Sequence, residues 1–254
     1  MAVFLYQSSY LTEKSVEENY KEEYDLIKSK GHEVHHVLFD RIKDANLSFV
    51  KGKEVVYRGW MLTIEEYTEL ENLISENGGA LISNVEEYKS AHYMPEWVDK
   101  LEGLTPKTHV FKNKTAALKF VEHHDGHKYF VKDFVKSLRG VSSSIVSHSE
   151  DMQEWLEQVA LFRGVIEGGL CLREVENFKE ETEQRFFIYK GKITSNGVKI
   201  PRLVKEIVNI IKLPFFTIDV VLNDKDEWRV VEIGDGQVSD SGKWDIANFP
   251  AVFE

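Results

Sequence analysis

The chain has 254 residues, 42% hydrophobic and 30% charged, with a formal net charge of −11, enough to bury a sizeable core in one composite domain or two small ones. The negative balance argues against a nucleic-acid backbone as the main partner, and no window of about 18 apolar residues offers a membrane span. The single cysteine, Cys171, cannot close an internal disulfide, and the N-terminus has no basic region ahead of a long apolar stretch, so a soluble, cytoplasmic protein with an inert buried thiol is expected.

Ala2 to Gln7 reads as a strand, followed by an acidic helix with Ser15 and Glu18 at capping-box spacing and Gly31 at its end. Strand-like EVHHVLF and KEVVYRG come next. Thr63 and Glu66 then form a second capping box before a helix ending at Gly78 and Gly79, and ALIS is a further short strand. Strands alternating with helices of this length predict a mostly parallel sheet covered by helices. No glycine-rich phosphate fingerprint follows the first strand, so this half is expected to be a scaffold or substrate platform. Arg58 ends an apolar strand, where open α/β sheets bind ligands, and reads either as a substrate contact or as a salt-bridged arginine. The histidines at 32, 35, 36, 123, 124 and 127 read as strand ends and turns, not metal ligands.

After Gly103 a new unit opens with TPKTHVF, and Asn113 caps a helix that runs to the HHDGH turn. The apolar strand from Tyr129 to Val135 carries Lys132 in its interior, an expensive place for an ammonium unless an anion or carboxylate meets it. Lys136 to Gly140 followed by three serines is a small basic loop that can offer cations and backbone N–H groups to phosphates, or else a surface hairpin. Then come a helix, an apolar strand interrupted by Arg173 and Glu174 just before Val175, and EQRFFIYKGKITS, a hairpin turning at Lys190-Gly191 with Glu183 and Arg185 on one face. Pro201 starts a helix in which Leu203, Ile207, Ile210 and Ile211 are expected to pack on the core.

The runs FFTIDVVL and EWRVVEI, either side of a polar cluster, predict an antiparallel hairpin. With an even-numbered loop centred between Lys225 and Asp226, Asp219 stands opposite Glu232, whereas a three-residue loop breaks that pairing. Neither acid has a basic residue at a facing position, and a divalent cation with oxygen ligands is the simplest neutralising partner, two solvated acids being the alternative. Phe216, Ile218, Val220, Val231 and Ile233 would share the opposite, apolar face.

In order, the chain offers a strand lysine, a small polar loop, a strand ending in a polar hinge, Glu and Arg on the next strand, and Asp and Glu on a last hairpin. With the phrases YRGWML, FVKDFVKS, LREV, EQRFF and VVEIGDGQVS, it resembles the ATP-grasp superfamily, in particular a clade of short phage and bacterial members, from about residue 55 to 240. The resemblance implies an N-terminal α/β domain (1–104) followed by an ATP-grasp fold of two α+β subdomains (105–180 and 181–254) with ATP between them. It puts Lys132 and Lys136 on the nucleotide phosphates, Arg173, Glu174 and Val175 at the adenine, Glu183 on the ribose, Arg185 at the transferred phosphoryl group, and Asp219 and Glu232 on magnesium. The family's asparagine two residues after the metal-binding glutamate is here Gly234, which leaves a third ligand missing or supplied by Asp235.

The expected activity is an ATP- and magnesium-dependent carboxylate–amine ligase acting through an acylphosphate and releasing ADP and phosphate. Lys132 and Arg185 would be its catalytic cations and Arg58 would hold the substrate carboxylate. The rivals are a kinase-like phosphotransferase on the same scaffold and a nucleotide-binding protein without turnover. Substrates would be small-molecule or peptide carboxylates and amines, with no nucleic acid or membrane involved.

Overall fold

The computed structural model describes residues 2–135, 144–162 and 164–254. Cα packing groups the chain into two compact units: Met1–Ala91 with Gln184–Asp219 and Ile233–Glu254, and His92–Glu183 with Val220–Glu232. Among the described residues no helix is long and apolar enough to cross a membrane.

The first unit begins with β1 (Val3–Gln7), α1 (Glu18–Ser29), β2 (Glu33–Val37), β3 (Glu54–Arg58), α2 (Ile64–Glu76) and β4 (Ala80–Leu81). Its strands pair in parallel in the order β2-β1-β3-β4, as the strand–helix alternation predicts. The period of two sorts the core: Val3, Leu5, Val55 and Tyr57 cluster with Tyr67, Leu70 and Ile74 of α2, while Phe4, Tyr6 and Val56 cluster with Tyr20 and Ile27 of α1. The second cluster is completed by Phe187, Phe215, Trp244, Phe249 and Val252, more than 180 residues further along the chain. There Phe187 meets Trp244 and Phe249 edge to face at 5.0 and 5.3 Å.

Local signals explain most helix ends. The Thr63 hydroxyl accepts from Glu66 N at 3.2 Å and the Glu66 carboxylate accepts from Thr63 N at 2.8 Å, the reciprocal box that the sequence predicts. The box expected of Ser15 and Glu18 does not form. Glu17 precedes α1 without a side-chain cap, because Ser15 is drawn into a closed loop, its carbonyl accepting from Ser9 N at 2.9 Å while Ser8 and Val16 bridge.

The second unit carries β5 (Thr108–Phe111), α3 (Lys114–His123), β6 (Tyr129–Asp133), β7 (Ile145–Val146), α4 (Ser149–Phe162) and β8 (Leu170–Glu174). Its antiparallel sheet, in the order β5-β8-β6-β7, packs on both helices through Val121, Val131, Trp155, Val159 and Leu172. Asn113 caps α3, as expected, accepting from Ala116 N at 2.9 Å.

A third sheet has the order β10-β9-β11-β12, from β9 (Phe178–Tyr189), β10 (Lys192–Thr194), β11 (Phe215–Asn223) and β12 (Trp228–Asp235). Lys190 and Gly191, with φ of 50° and 80°, make the tight turn read from the sequence. On α5 (Arg202–Ile210) the buried stripe is Val204, Ile207 and then Ile211, whereas Ile210 is exposed, one position off the expected face.

The β11–β12 loop differs from the even-numbered one assumed above. Asn223 N donates to Glu227 O at 2.9 Å and Asp226 N to Asn223 O at 3.1 Å, with Asp226 at φ 61°, so three residues turn the chain. At the far end Gly236 N donates to Phe215 O at 3.2 Å, the register that the even loop would have set. One extra residue is therefore absorbed within β12. The burial pattern marks it at 231–232: Val230 and Ile233 are buried and both residues between them are half-buried, which moves Val231 off the apolar face it was expected to share.

The late-chain aromatics make a direct stability prediction. Phe187→Ala empties the contact of three rings in a fully buried position and is expected to cost about 3–5 kcal/mol, read as a lowered denaturant midpoint with an unchanged slope.

Candidate functional site

Lys132 lies in the middle of β6, opposite Cys171 of β8, and is almost fully buried. The anion it requires is Glu232 of β12, whose Oε1 accepts from Nζ at 2.8 Å. Burial pushes the neighbouring Cys171 thiol up to about 12, which keeps it protonated and inert. Arg173, also buried, donates from Nη1 to Val231 O at 2.7 Å and from Nη2 to Thr105 Oγ1 at 2.7 Å and Val230 O at 3.2 Å. Burial lowers its pKa to about 10, against the pull of Glu232, and its Nε finds no partner. The Arg173 side chain thus braces the displaced stretch of β12. In the strand end that follows, Glu174 N and Val175 N donate to Lys107 O and Lys128 O at 2.8 and 3.3 Å, and the Glu174 carboxylate lies 3.5 Å from Lys107 Nζ and 3.6 Å from His109.

Arg185 of β9 grips Asp219 of β11 with a two-pronged contact, Nε to Oδ1 at 2.9 Å and Nη2 to Oδ2 at 2.8 Å. Its remaining nitrogen donates to Asp240 O at 2.8 Å and Asp240 Oδ1 at 2.7 Å. Glu183 is half-buried two residues earlier on the same strand. Lys136 lies outside the described residues.

These pairs correct one expectation. The acids Asp219 and Glu232 do have cationic partners, supplied by strands other than their own hairpin. Among the described residues no group of three or more His, Cys, Asp or Glu side chains gathers as a metal cluster. The departure at Gly234 also has a physical reason: a Cβ there would lie 2.8 Å from Thr217 Oγ1 and 3.0 Å from Ser239 Oγ, hydroxyls that contact each other at 3.0 Å. No asparagine fits in that gap. Asp235 is fully buried; its Oδ1 accepts from Gln237 N at 2.9 Å, its Oδ2 has no partner, and burial raises its pKa to about 7.

Arg58 is salt-bridged inside the protein. Its Nε and Nη2 each lie 2.7 Å from a Glu23 carboxylate oxygen, and Nη1 donates to Gly236 O at 2.5 Å and Gln237 O at 3.0 Å. Glu23 also accepts from Tyr6 Oη at 3.0 Å, and the Phe249 ring covers the guanidinium at 4.9 Å. The fork that suits a carboxylate is therefore filled by an internal one, so the structure does not support the expectation that Arg58 reaches a substrate. Gln237 continues the network, accepting from Tyr57 N at 3.2 Å and donating to Tyr67 Oη at 2.6 Å.

A family model described as an ATP-grasp domain, clade family 3, matches residues 29–251. The chain belongs to this family. The ATP-grasp fold is seen again in solved structures. D-cycloserine synthetase DcsG is 13% identical with a TM-score of 0.65, over 99% of this chain and 98% of that one. Macrocyclase MdnC bound with precursor peptide MdnA, from Microcystis aeruginosa, is 14% identical with a TM-score of 0.62, over 98% and 97%. ATP-grasp ligase PsnB, complexed with a phosphomimetic variant of minimal precursor, Mg and ADP, is 11% identical with a TM-score of 0.58, over 96% and 90%. A comparison with curated protein sequences finds no match.

In this ATP-grasp chain, the sequence reading found both candidate acids and both candidate cations but missed Asp240, Glu23 and Gln237. Gln237 sits inside the quoted phrase VVEIGDGQVS, whereas nothing in the sequence distinguishes Asp240 or Glu23 from the other surface-type acids.

The buried charges make two predictions. Glu23→Gln leaves Arg58 without its counter-charge and is expected to cost about 3–5 kcal/mol, while the pair Glu23→Leu with Arg58→Met costs clearly less than the two single changes added together; a double-mutant cycle by chemical denaturation measures this coupling. Asp235 titrates near 7 when folded and near about 3.9 when unfolded. Between these values the folded state holds the extra proton, so this group removes stability as pH rises from about 4 to about 7. Asp235→Asn is accordingly expected to match the parent near pH ~4 and to exceed it near pH ~8, by an amount on the order of a few kcal/mol at most, measured as unfolding midpoints across that range.

Proposed function

We propose that this ATP-grasp protein is an ATP-dependent carboxylate–amine ligase. A substrate carboxylate oxygen attacks the γ-phosphorus of ATP, the bond to ADP breaks, and an amine then attacks the acyl carbon of the acylphosphate. Phosphate leaves and the nitrogen loses its proton, giving an amide. The domain reading of 1–104, 105–180 and 181–254 belongs to the same proposal.

The observation that carries this reading is the pairing of its four central side chains. Lys132 with Glu232, and Arg185 with Asp219, are the two cations and two acids that the motif order singles out, each partly or fully withdrawn from water. The acids offer hard oxygen donors of the kind magnesium takes, and the chemistry fits: two carboxylates for the ion and two cations for phosphate oxygens. Magnesium would neutralise phosphate charge and polarise the transferred group. Arg185 would face the transferred phosphoryl group and Lys132 the phosphate chain, where fixed cations stabilise developing negative charge without reorganisation. Glu183 would accept from the ribose hydroxyls, Arg173, Glu174 and Val175 would meet the adenine, and Lys136 would join Lys132 at the phosphates. DcsG as a synthetase, and PsnB in complex with Mg and ADP, support the reading by their own chemistry.

When MgATP binds, the acids exchange their side-chain cations for the metal and the cations turn to the phosphates. A specific result follows. MgATP is expected to raise the melting temperature of the parent and not of Asp219→Asn. Arg185→Gln should bind Mg2+ alone about tenfold more tightly than the parent, equivalent to ~1.4 kcal/mol, because Asp219 loses its competing partner, yet should lose acceptor-dependent ADP release. Calorimetry and product analysis read both effects. Absence of any stabilisation by MgATP overturns the nucleotide reading, and a stable phosphorylated product in place of an amide makes the protein a phosphotransferase.

A further inference from the structure

In a parallel sheet of order β2-β1-β3-β4 the chain leaves β1 toward one side and returns to β3 on the other. The crevice beyond the carboxyl ends of such a pair is where open α/β sheets take ligands. Tyr6 and Arg58 are register partners, so the segments after β1 and β3 emerge at the same edge.

Both segments are built to present apolar side chains outward. The loop after β1 is cinched by the Ser8–Val16 bridge and by Ser9 N donating to Ser15 O, and it holds out Tyr10 and Leu11, 55% and 96% exposed. The turn after β3 holds out Trp60 and Met61, 43% and 40% exposed. Trp60 is fixed twice: its carbonyl accepts from Tyr57 Oη at 3.1 Å, and its ring meets Tyr20 edge to face at 5.7 Å. The first of these requires Gly59, since a Cβ there would come within 2.3 Å of that same hydroxyl. Large apolar side chains fixed in water at a ligand-binding edge mark a contact surface.

The charge around them has one sign. Tyr10 Oη donates to Asp40 Oδ1 at 3.3 Å, and Glu17 and Glu66 add to the field that, after desolvation, raises its pKa. Tyr20 is pushed up to about 12 by burial first and then by Glu23, Asp240 and Glu17, with Arg58 opposing. That arginine is already committed to Glu23. Aromatic faces edged by carboxylates attract an organic cation, through the ring quadrupole and Coulomb attraction together.

The geometry points to a binding site for an organic ammonium ion, a protonated primary amine on an apolar body, between Tyr10 on the loop after β1 and Trp60 and Met61 on the turn after β3. On the ligase reading above, on which its role though not its existence rests, this site gathers the amine substrate.

The test uses two probes of similar shape and opposite charge, phenethylamine and phenylacetate, titrated calorimetrically into the full chain with and without MgATP. Phenethylamine is expected to bind and phenylacetate not to. Binding should weaken at least about fivefold in Trp60→Ala and survive in Trp60→Phe, which keeps a ring. Met61→Lys, which adds a like charge at an exposed position, should abolish it, and about 0.5 M salt should weaken it. Melting curves establish that each variant folds. Equal binding of both probes, or phenethylamine binding unchanged in Trp60→Ala and Met61→Lys, overturns the site. A parent stabilised by MgATP that does not bind phenethylamine overturns this inference alone. Phenethylamine binding lost in Trp60→Ala and Met61→Lys, in a protein that MgATP does not stabilise, supports the site and overturns the ligase reading alone.

Discussion

A guanidinium with no exposure to water governs the first unit. Removing such a cation from water costs several kcal/mol unless its donors are met in good geometry. Arg58 meets that condition with a helix carboxylate on one side and two consecutive backbone carbonyls on the other. Burial works against its charge, but the Glu23 carboxylate outweighs it and holds its pKa above the ordinary arginine value. Three segments remote in sequence are thereby fixed together: α1 through Glu23, the end of β3 through Arg58 itself, and the chain at 236–237 just beyond β12. Gln237 extends the constraint to Tyr57 and Tyr67. The loop that carries Asp240, and through it the orientation of Arg185, starts from this anchored point.

Each candidate acid is balanced by a candidate cation, so the charges needed for phosphate chemistry are stored as internal ion pairs. This arrangement answers the desolvation problem of Lys132 and Asp219 without any ligand. It also sets a threshold: a metal or an anion that offers only one sign of charge breaks a pair and leaves the other member uncompensated, whereas a metal–phosphate complex offers both signs together. Selectivity for the complex over either component then needs no separate recognition element.

The sequence was legible where one local rule decides the outcome. The parallel sheet followed from strand–helix alternation, α2 from its capping box, and the Lys190–Gly191 turn from its left-handed pair. Motif order led to the ATP-grasp fold. What escaped was set by tertiary context. Asp226 adopts φ 61°, a conformation uncommon for a non-glycine residue, so the three-residue loop was not readable from composition, and the compensating extra residue in β12 depends on the bracing by Arg173. The partner of Lys132 lies 100 residues away and that of Arg58 35 residues away. No periodicity connects such pairs, and Glu23 looks like any other acid of an acidic helix. Gly234 registered as a departure, but its cause, two hydroxyls filling the space of a side chain, appeared only in three dimensions.

The aromatic cluster over the outer face of β1 and β3 has a consequence for biosynthesis. Phe4, Tyr6 and Val56 are among the first residues made, while Trp244, Phe249 and Val252, which cover them, are among the last. During vectorial synthesis that face stays uncovered while nearly two hundred intervening residues emerge from the ribosome. Native contacts of such long sequence separation form slowly, and exposed sheet faces are prone to association in the interval. The intervening unit, His92–Glu183, has its own core and can condense first. Its early folding would shorten the effective loop that must close before the N-terminal sheet receives its final layer.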